Sequence, residues 1–327
     1  MSDYTQVSHR ILAKAARLQV FGTSAGGLYL HLNRWIWGHL PSPVRNSYPV
    51  RCYGAWLHTL VCRHAKRRQY FGTFFLRNRP ALDLMRRLAE RKAPGSNLRI
   101  AVLACSVGAE VYSILWIIRS ARPDLKVALC AVDISKELLD SAAKGIYDSN
   151  TSRSVGAQLF ERLAAHEKRE MFDWKGDQAE VKPWLREGIA WQLGDAADPE
   201  LIPTLGPQDM VVASNFLCHM PPADAAKCLR NIGRLANPGG YLFVSGVDLD
   251  IRARVARDLG WEPVAELIAE IHDGDPSVRA DWPWRWWGLE PLNRRRHDWQ
   301  TRYAAVFRIP SLQRQRPSSR PTLGSGL

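Results

Sequence analysis

Several polar side chains stand just after apolar runs, where a chain leaves one element for the next. Cys105 and Glu110 bracket the single glycine, Gly108, of LRIAVLACSVGAEVYSI (98–114). Asp133 closes VALCAVD (127–133), 25 residues beyond Gly108, and Asp195 closes IAWQLGD (189–195). Asn215 closes DMVVASN (209–215), and His219 follows in SNFLCHMPP. The first turn lacks the three glycines of a dinucleotide fingerprint and the Gly-Lys-Ser/Thr of a P-loop. Glu110 would repel a pyrophosphate, so the turn suits a cationic group. An acid in the place of Asp133 accepts hydrogen bonds from a ribose diol, although alone it reads equally as a helix N-cap. Asp195 can accept from an exocyclic amine or cap the next segment. As a set, these residues suit a nucleoside with a positive group and no phosphate. S-adenosylmethionine has that chemistry: adenine, ribose, sulfonium and an amino-acid end.

Such residues need elements to hold them. From Leu98 onward, strand-like runs alternate with helix-like ones: strand 98–104, helix 109–120, strand 127–133, then the helix SKELLDSAAKGIY. A polar helical stretch (155–170) and a short hairpin around Lys175-Gly176-Asp177 come next. Strands 189–195 and 209–215, helix 222–236, strand 239–246, helices 251–259 and 262–272 and a last strand, 302–309, complete the series. The alternation predicts an α/β fold with a doubly wound, Rossmann-like sheet, which binds ligands at the carboxyl ends of its strands. Residues 1–95 read as a basic, mostly helical N-terminal domain. Within it, PALDLMRRLAERKAPG sets Leu84, Met85, Leu88 and Ala89 on one helix face before a Pro-Gly stop. The first residues read as an amphipathic helix rather than a signal peptide. The sheet domain is expected over 96–310, with a Trp/Arg-rich insertion at about 260–300, and the Pro/Ser/Arg-rich tail 311–327 is expected to be disordered.

At this point the chain resembles the chemoreceptor glutamate methyltransferases of the CheR type, from roughly Tyr70 to Gly246. GTFFLRNRPAL is similar to that family's T-x-F-F-R motif, ACSVGAEVYS to its A-x-S-T-G-E-E-P-Y-S loop, and VDISKELLDSAAKGIY to its D-I-x-x-x-x-L-x-x-A-x-x-G-I-Y segment. EVKPWLREGIAWQLGDA resembles the strand that ends in Asn-Leu; SNFLCHM stands for R-N-V-x-I-Y-F, and LANPGGYLFVSG for L-x-P-G-G-x-L-x-x-G. The resemblance implies a class I methyltransferase sheet, S-adenosylmethionine as cofactor, and cofactor contacts at Thr73, Arg77, Cys105, Gly108, Glu110, Asp133, Ile134, Asp195, Ala196 and Asn215, with Asn215 and His219 as the catalytic candidates. Arg77 and Thr73 would hold the methionine end, Glu110 its ammonium, Asp133 the ribose and Asp195 the adenine amine, with Ala196 lending a backbone amide. The departures are Ala109 for the first loop acid, Phe71 for an asparagine, Ser214 for an arginine and His219 for the tyrosine beside the methyl-transfer site. The cofactor side is mostly kept and the substrate side is altered. Segment 171–186 stands where the family has a small β-subdomain that docks receptor tails, though by itself it reads only as a hairpin.

Charge narrows the partners. The net charge of +13 is uneven: residues 1–95 hold 16 Lys/Arg against 3 Asp/Glu, residues 96–293 hold 21 against 28, and residues 294–327 hold 8 against 1. Basic ends suit an acidic protein surface, nucleic acid or anionic lipid, or simply keep a chain soluble. No apolar run is long enough for a transmembrane helix, so any membrane contact is expected to be peripheral. The six cysteines contain no C-x-x-C pair, so reduced cytosolic thiols are expected and no metal site. A cytoplasmic methyltransferase acting on a protein carboxylate is the leading expectation. A carboxylate acceptor is ionised at neutral pH and needs no base. A small-molecule hydroxyl or amine would use His219 as one; packed under the helix, His219 would have no such part. A non-catalytic cofactor-binding adaptor is a third reading. Nucleic acid ranks last, since no Asn/Asp-Pro-Pro-aromatic motif follows Asn215 and no Pro-Cys pair exists for cytosine chemistry. Four tryptophans in six residues (282–287) could stack on bases, wall a substrate or plug a packed edge.

Overall fold

The computed structural model describes residues 19–20, 23–65, 67, 72–149, 159–280 and 282–311. The expected amphipathic start, Phe71, the first part of the polar stretch 155–170 and the tail from 312 on lie outside the described residues.

Seven strands form the main sheet. They are β1 (Asn97–Leu103), β2 (Lys126–Asp133), β3 (Ile189–Leu193), β4 (Gln208–Ser214), β5 (Ala236–Ser245), β6 (Glu262–Pro263) and β7 (Val306–Arg308). Ile100 to Leu103 and Met210 to Ala213 are buried. Helices cover both faces of such a sheet, which is why these strands read as continuous apolar runs rather than alternating ones. The hydrogen-bonded order is β3-β2-β1-β4-β5-β7-β6. Strands β1 to β5 pair in parallel, whereas β7 runs antiparallel to β5 and β6 antiparallel to β7. The doubly wound, Rossmann-like α/β sheet is therefore present. The order in which strands are added reverses between the parallel neighbours β1 and β4, and a crevice opens there over the carboxyl ends.

Two expected elements differ. Residues 262–272 do not form one helix: Glu262 and Pro263 pair with Arg308 and Phe307, and a helix begins only at Ile268–Asp273. Pro263 has no N–H to give a helix, but an edge strand tolerates it. The expected strand 302–309 is split. Residues Trp299–Tyr303 are helical, with Tyr303 buried edge-on to the His272 ring at 4.9 Å, and only Val306–Arg308 joins the sheet. The hairpin at 172–181 gains a third strand, Ile146–Asp148, in a small antiparallel sheet.

The chain falls into two compact units. One comprises 67–275 and 292–327, the other 1–66 and 276–291. The division lies at Lys66/Arg67 rather than near residue 95, because helix Arg79–Glu90 buries Leu84, Met85, Leu88 and Ala89 in the same core as β1 and helix Ala109–Ala121. The smaller unit holds helices Ala25–His39 and Tyr48–His64, which Gly26, Gly27 and Pro49 obscured in the sequence. Its core is Trp37, Leu57 and Trp282, with Trp284 packed against it. Trp282 is 7% exposed and meets Trp37 edge-on at 5.7 Å. A Cβ at Gly54 would lie 2.5 Å from the Trp282 ring and 2.6 Å from that of Trp37, so only glycine fits beneath the two indoles. Of the readings open to the Trp-rich segment, Trp282 takes the packed one. Among the described residues no helix is long and apolar enough to cross a membrane, and no cluster of potential metal ligands exists.

Candidate functional site

The crevice holds a cavity of about 210 Å³. Its first wall is the turn after β1. Ala104 (φ 54°), Ser106 (φ 52°) and Gly108 (φ 86°) all adopt left-handed backbone, which is uncommon for residues with a side chain. This conformation turns the Ser106 amide onto Asp133, whose Oδ2 accepts it at 2.8 Å, while Oδ1 accepts the Ser135 amide at 3.0 Å. Asp133 is 4% exposed and stands on the cavity wall. It is not the cap of the next helix: Ser135 is, accepting from the Leu138 amide at 3.3 Å. Each Asp133 oxygen keeps acceptor capacity beyond its main-chain bond.

Gly108 is the member of the expected cofactor set that does not line the cavity. It lies behind the wall at the start of helix Ala109–Ala121, where a Cβ would meet Ala142 at 3.0 Å and Trp191 at 3.2 Å. Two positions on, Glu110 does reach the wall. Burial pushes its carboxyl up from the ordinary carboxylate range; the Ser214 hydroxyl, donating to Oε1 at 2.7 Å, and the Arg77 charge pull the other way. Ser214, read from the sequence as a change on the substrate side, thus bonds the acid expected to meet the cofactor. Cys105 is buried on the same wall, and burial together with the Asp133 charge raises its thiol far above the usual value, which leaves no thiolate to act as a nucleophile.

Thr73 and Arg77 line the same cavity. Arg77 Nε donates to Asp275 Oδ2 at 2.7 Å, and Arg162 donates to the other oxygen, Oδ1, at 2.9 Å. Arg162 also donates to the Arg77 carbonyl at 2.6 Å, and both guanidinium groups lie over the Phe74 ring. Beyond β3, Asp195 and Ala196 line the cavity; Asp195 Oδ1 accepts from the Ala197 amide at 2.8 Å. Ile134, 51% exposed, adds an apolar surface beside them.

Asn215 and His219 close the circuit. Asn215 is left-handed (φ 58°), and its amide donates to the Ser245 carbonyl at 3.1 Å. This close approach depends on Gly246, whose Cβ would lie 2.4 Å from the Asn215 Cα. Arg67 then fastens the short turn Leu217–His219. Its Nη1 donates to the Cys218 and Met220 carbonyls, each at 3.1 Å, and its Nη2 to Asp248 at 2.9 Å. Sequence reasoning did not single out Arg67, Arg162 or Asp275 as parts of the site. The first two look like members of a basic surface, and Asp275 sits in HDGDP, which reads only as a turn.

The cavity therefore carries an acid near an arginine, a buried carboxylate held by main-chain amides, and an exposed aspartate past a third strand. These match in kind an ammonium, a carboxylate, a diol and an amine. The family described as CheR methyltransferase, SAM binding domain, matches residues 72–249, more than half of the chain. The chain is 24% identical over 204 residues to the probable biofilm formation methyltransferase WspC of Pseudomonas aeruginosa, covering 61% of this chain and 46% of that protein. It is 32% identical over 162 residues to the chemotaxis protein methyltransferase Cher2 of Pseudomonas putida, covering 47% and 55%. With chemotaxis protein methyltransferase 1 of P. aeruginosa it shares 33% over 158 residues, covering 46% and 54%. The chain spans about half the length of these curated relatives.

Proposed function

The chain belongs to the CheR methyltransferase family, and from that premise we propose that it transfers a methyl group from S-adenosylmethionine to a glutamate carboxylate on an acidic protein. The observation that carries this reading is that Arg77, Glu110 and Asp133 line one and the same cavity. Arg77 grips the methionine carboxylate, as a guanidinium fork suits a carboxylate, with Thr73 beside it. Glu110 takes the ammonium. Asp133 accepts from the ribose hydroxyls, and Asp195 accepts from the adenine amine while Ala196 lends its amide. When bound, the cofactor supplies a sulfonium methyl open to in-line displacement. Such a reaction asks the protein for alignment and exclusion of water more than for covalent help. Asn215, fixed by its backbone, borders the place where the acceptor approaches, and a carboxylate acceptor there leaves His219 with no proton to remove.

Between Tyr4 and Leu82 the chain has 12 Lys/Arg and no Asp or Glu, which suits an acceptor protein that is itself acidic. One observation favours a second reading. His219 lines the cavity where the resembling enzymes have a tyrosine, so a small-molecule hydroxyl or amine acceptor would find a base there. The test is incubation of the purified protein with methyl-labelled cofactor and a cell lysate. Protein-bound label that mild alkali releases as methanol is the expected result. Label confined to small molecules supports the second reading, and cofactor binding with no transfer to either fraction makes the chain an adaptor.

A further inference from the structure

We infer that Asp275 is a positioning residue, which, together with Arg162, sets the Arg77 guanidinium for the carboxylate of the cofactor; this rests on the cofactor reading above. Asp275 is 7% exposed, and its two oxygens are divided between two arginines. Because Oδ1 is taken by Arg162, Asp275 does not clamp Arg77 in the two-pronged way of an isolated pair. It holds Arg77 at Nε, on one side of the guanidinium, and leaves the paired Nη donors for a second carboxylate. Arg162 fixes the same residue from its main chain through the Arg77 carbonyl. The two cations share one aromatic face, at 4.3 and 5.5 Å from the Phe74 centroid, and without the Asp275 charge between them they would repel. With it, the three groups together carry one positive charge, and Arg77 is the member of the trio that lines the cavity.

A second contact set builds the segment of Asp275 onto the Arg77 loop. Asn78 Nδ2 donates to the Ile271 carbonyl at 2.8 Å, and a Cβ on Gly274 would lie 2.4 Å from Asn78 Oδ1. Residues 271–275 are thus seated tightly on residues 77–78. They lie beyond residue 249, where the family match ends, whereas Arg77, Asn78 and Arg162 lie within it.

Calorimetric titration of the full chain with two ligands tests the inference. S-adenosylhomocysteine carries the amino-acid end, and 5′-methylthioadenosine lacks it. Asp275→Asn is expected to weaken S-adenosylhomocysteine by about 10- to 100-fold, the range for a lost bond to a charged group, and to leave methylthioadenosine within about twofold of wild type. Asp275→Glu should recover part of the loss. Equal weakening of both ligands means a merely structural role and overturns the inference, as does unchanged binding of both. If Asp275→Asn does not fold, Arg162→Gln replaces it: selective loss of S-adenosylhomocysteine supports the inference and no selectivity overturns it. Failure of wild-type protein to bind either ligand overturns the cofactor reading instead, and with it the premise of this one.

Discussion

On the proposed reading, in which Glu110 takes the ammonium, cofactor binding is a proton-linked event. The Glu110 carboxyl is pushed upward by burial in the cavity, so near and just above the ordinary carboxylate range it holds a proton that an exposed glutamate would have lost. A raised carboxyl adds stability to the fold at low pH, and this contribution is lost as pH rises through the raised value. Binding an ammonium requires the opposite, ionised form. Affinity for S-adenosylhomocysteine is therefore expected to climb with pH above the ordinary carboxylate range and then level, and in Glu110→Gln the climb should vanish; titrations at a series of pH values measure this. Asp133→Ala should weaken the same ligand by about 1.5–3 kcal/mol, since a buried charged acceptor is lost; calorimetry that finds no change removes Asp133 from the ligand. His219 separates the two acceptor chemistries. With a carboxylate acceptor, His219→Phe keeps most of the activity and the rate does not rise through pH 6–7. With a hydroxyl or amine acceptor, the variant loses about 10²–10⁴-fold and the wild-type rate climbs near pH 6.5.

At the level of elements, the site depends on sharp turns more than on long helices. Leu76, Ala104, Ser106 and Asn215 are all left-handed without being glycine, and all but Leu76 line the cavity. Each costs about 1–3 kcal/mol and persists only where neighbours hold it. The Asn215 turn is held by Gly246, so Gly246→Ala should destabilise the protein by about 2 kcal/mol or more, from an added methyl in filled space and from a positive φ at a residue with a Cβ. Urea unfolding measures it. The sequence disclosed the strands well, because β1, β2 and β4 are covered on both faces and show as apolar runs of clear length. It also disclosed Asp133, Asp195 and Asn215, since each follows such a run directly. It hid what periodicity does not encode. The two-residue β6 contains a proline, the split at 299–308 turns on tertiary packing of Tyr303, and helix Ala25–His39 buries only Trp37 among its described side chains while Leu28, Leu32 and Trp35 stand exposed. The braces were hidden for another reason: Arg67 meets Asp248, and Arg77 meets Asp275, across nearly two hundred residues of chain, a distance at which one sequence carries no pairing signal.

On the scale of the whole molecule, charge is the property most open to test. The acid-free run from Tyr4 to Leu82 is expected to draw an acidic acceptor from a distance. Transfer to a protein acceptor should then fall steeply as salt shortens the screening length from about 10 Å to about 3 Å. A flat profile in initial-rate assays would make the basic run a solubility feature. The strand order has a different consequence, for portability. The match to the family ends at residue 249, yet the sheet continues past β5 through β7, whose Val306 to Arg308 pair with Phe243 to Tyr241 of β5, to β6 at the edge. Excised at the family boundary, the domain would present a bare apolar edge, and such edges recruit other chains. A graft of this domain into another protein must therefore carry the chain through β7, or it will assemble through the opened sheet.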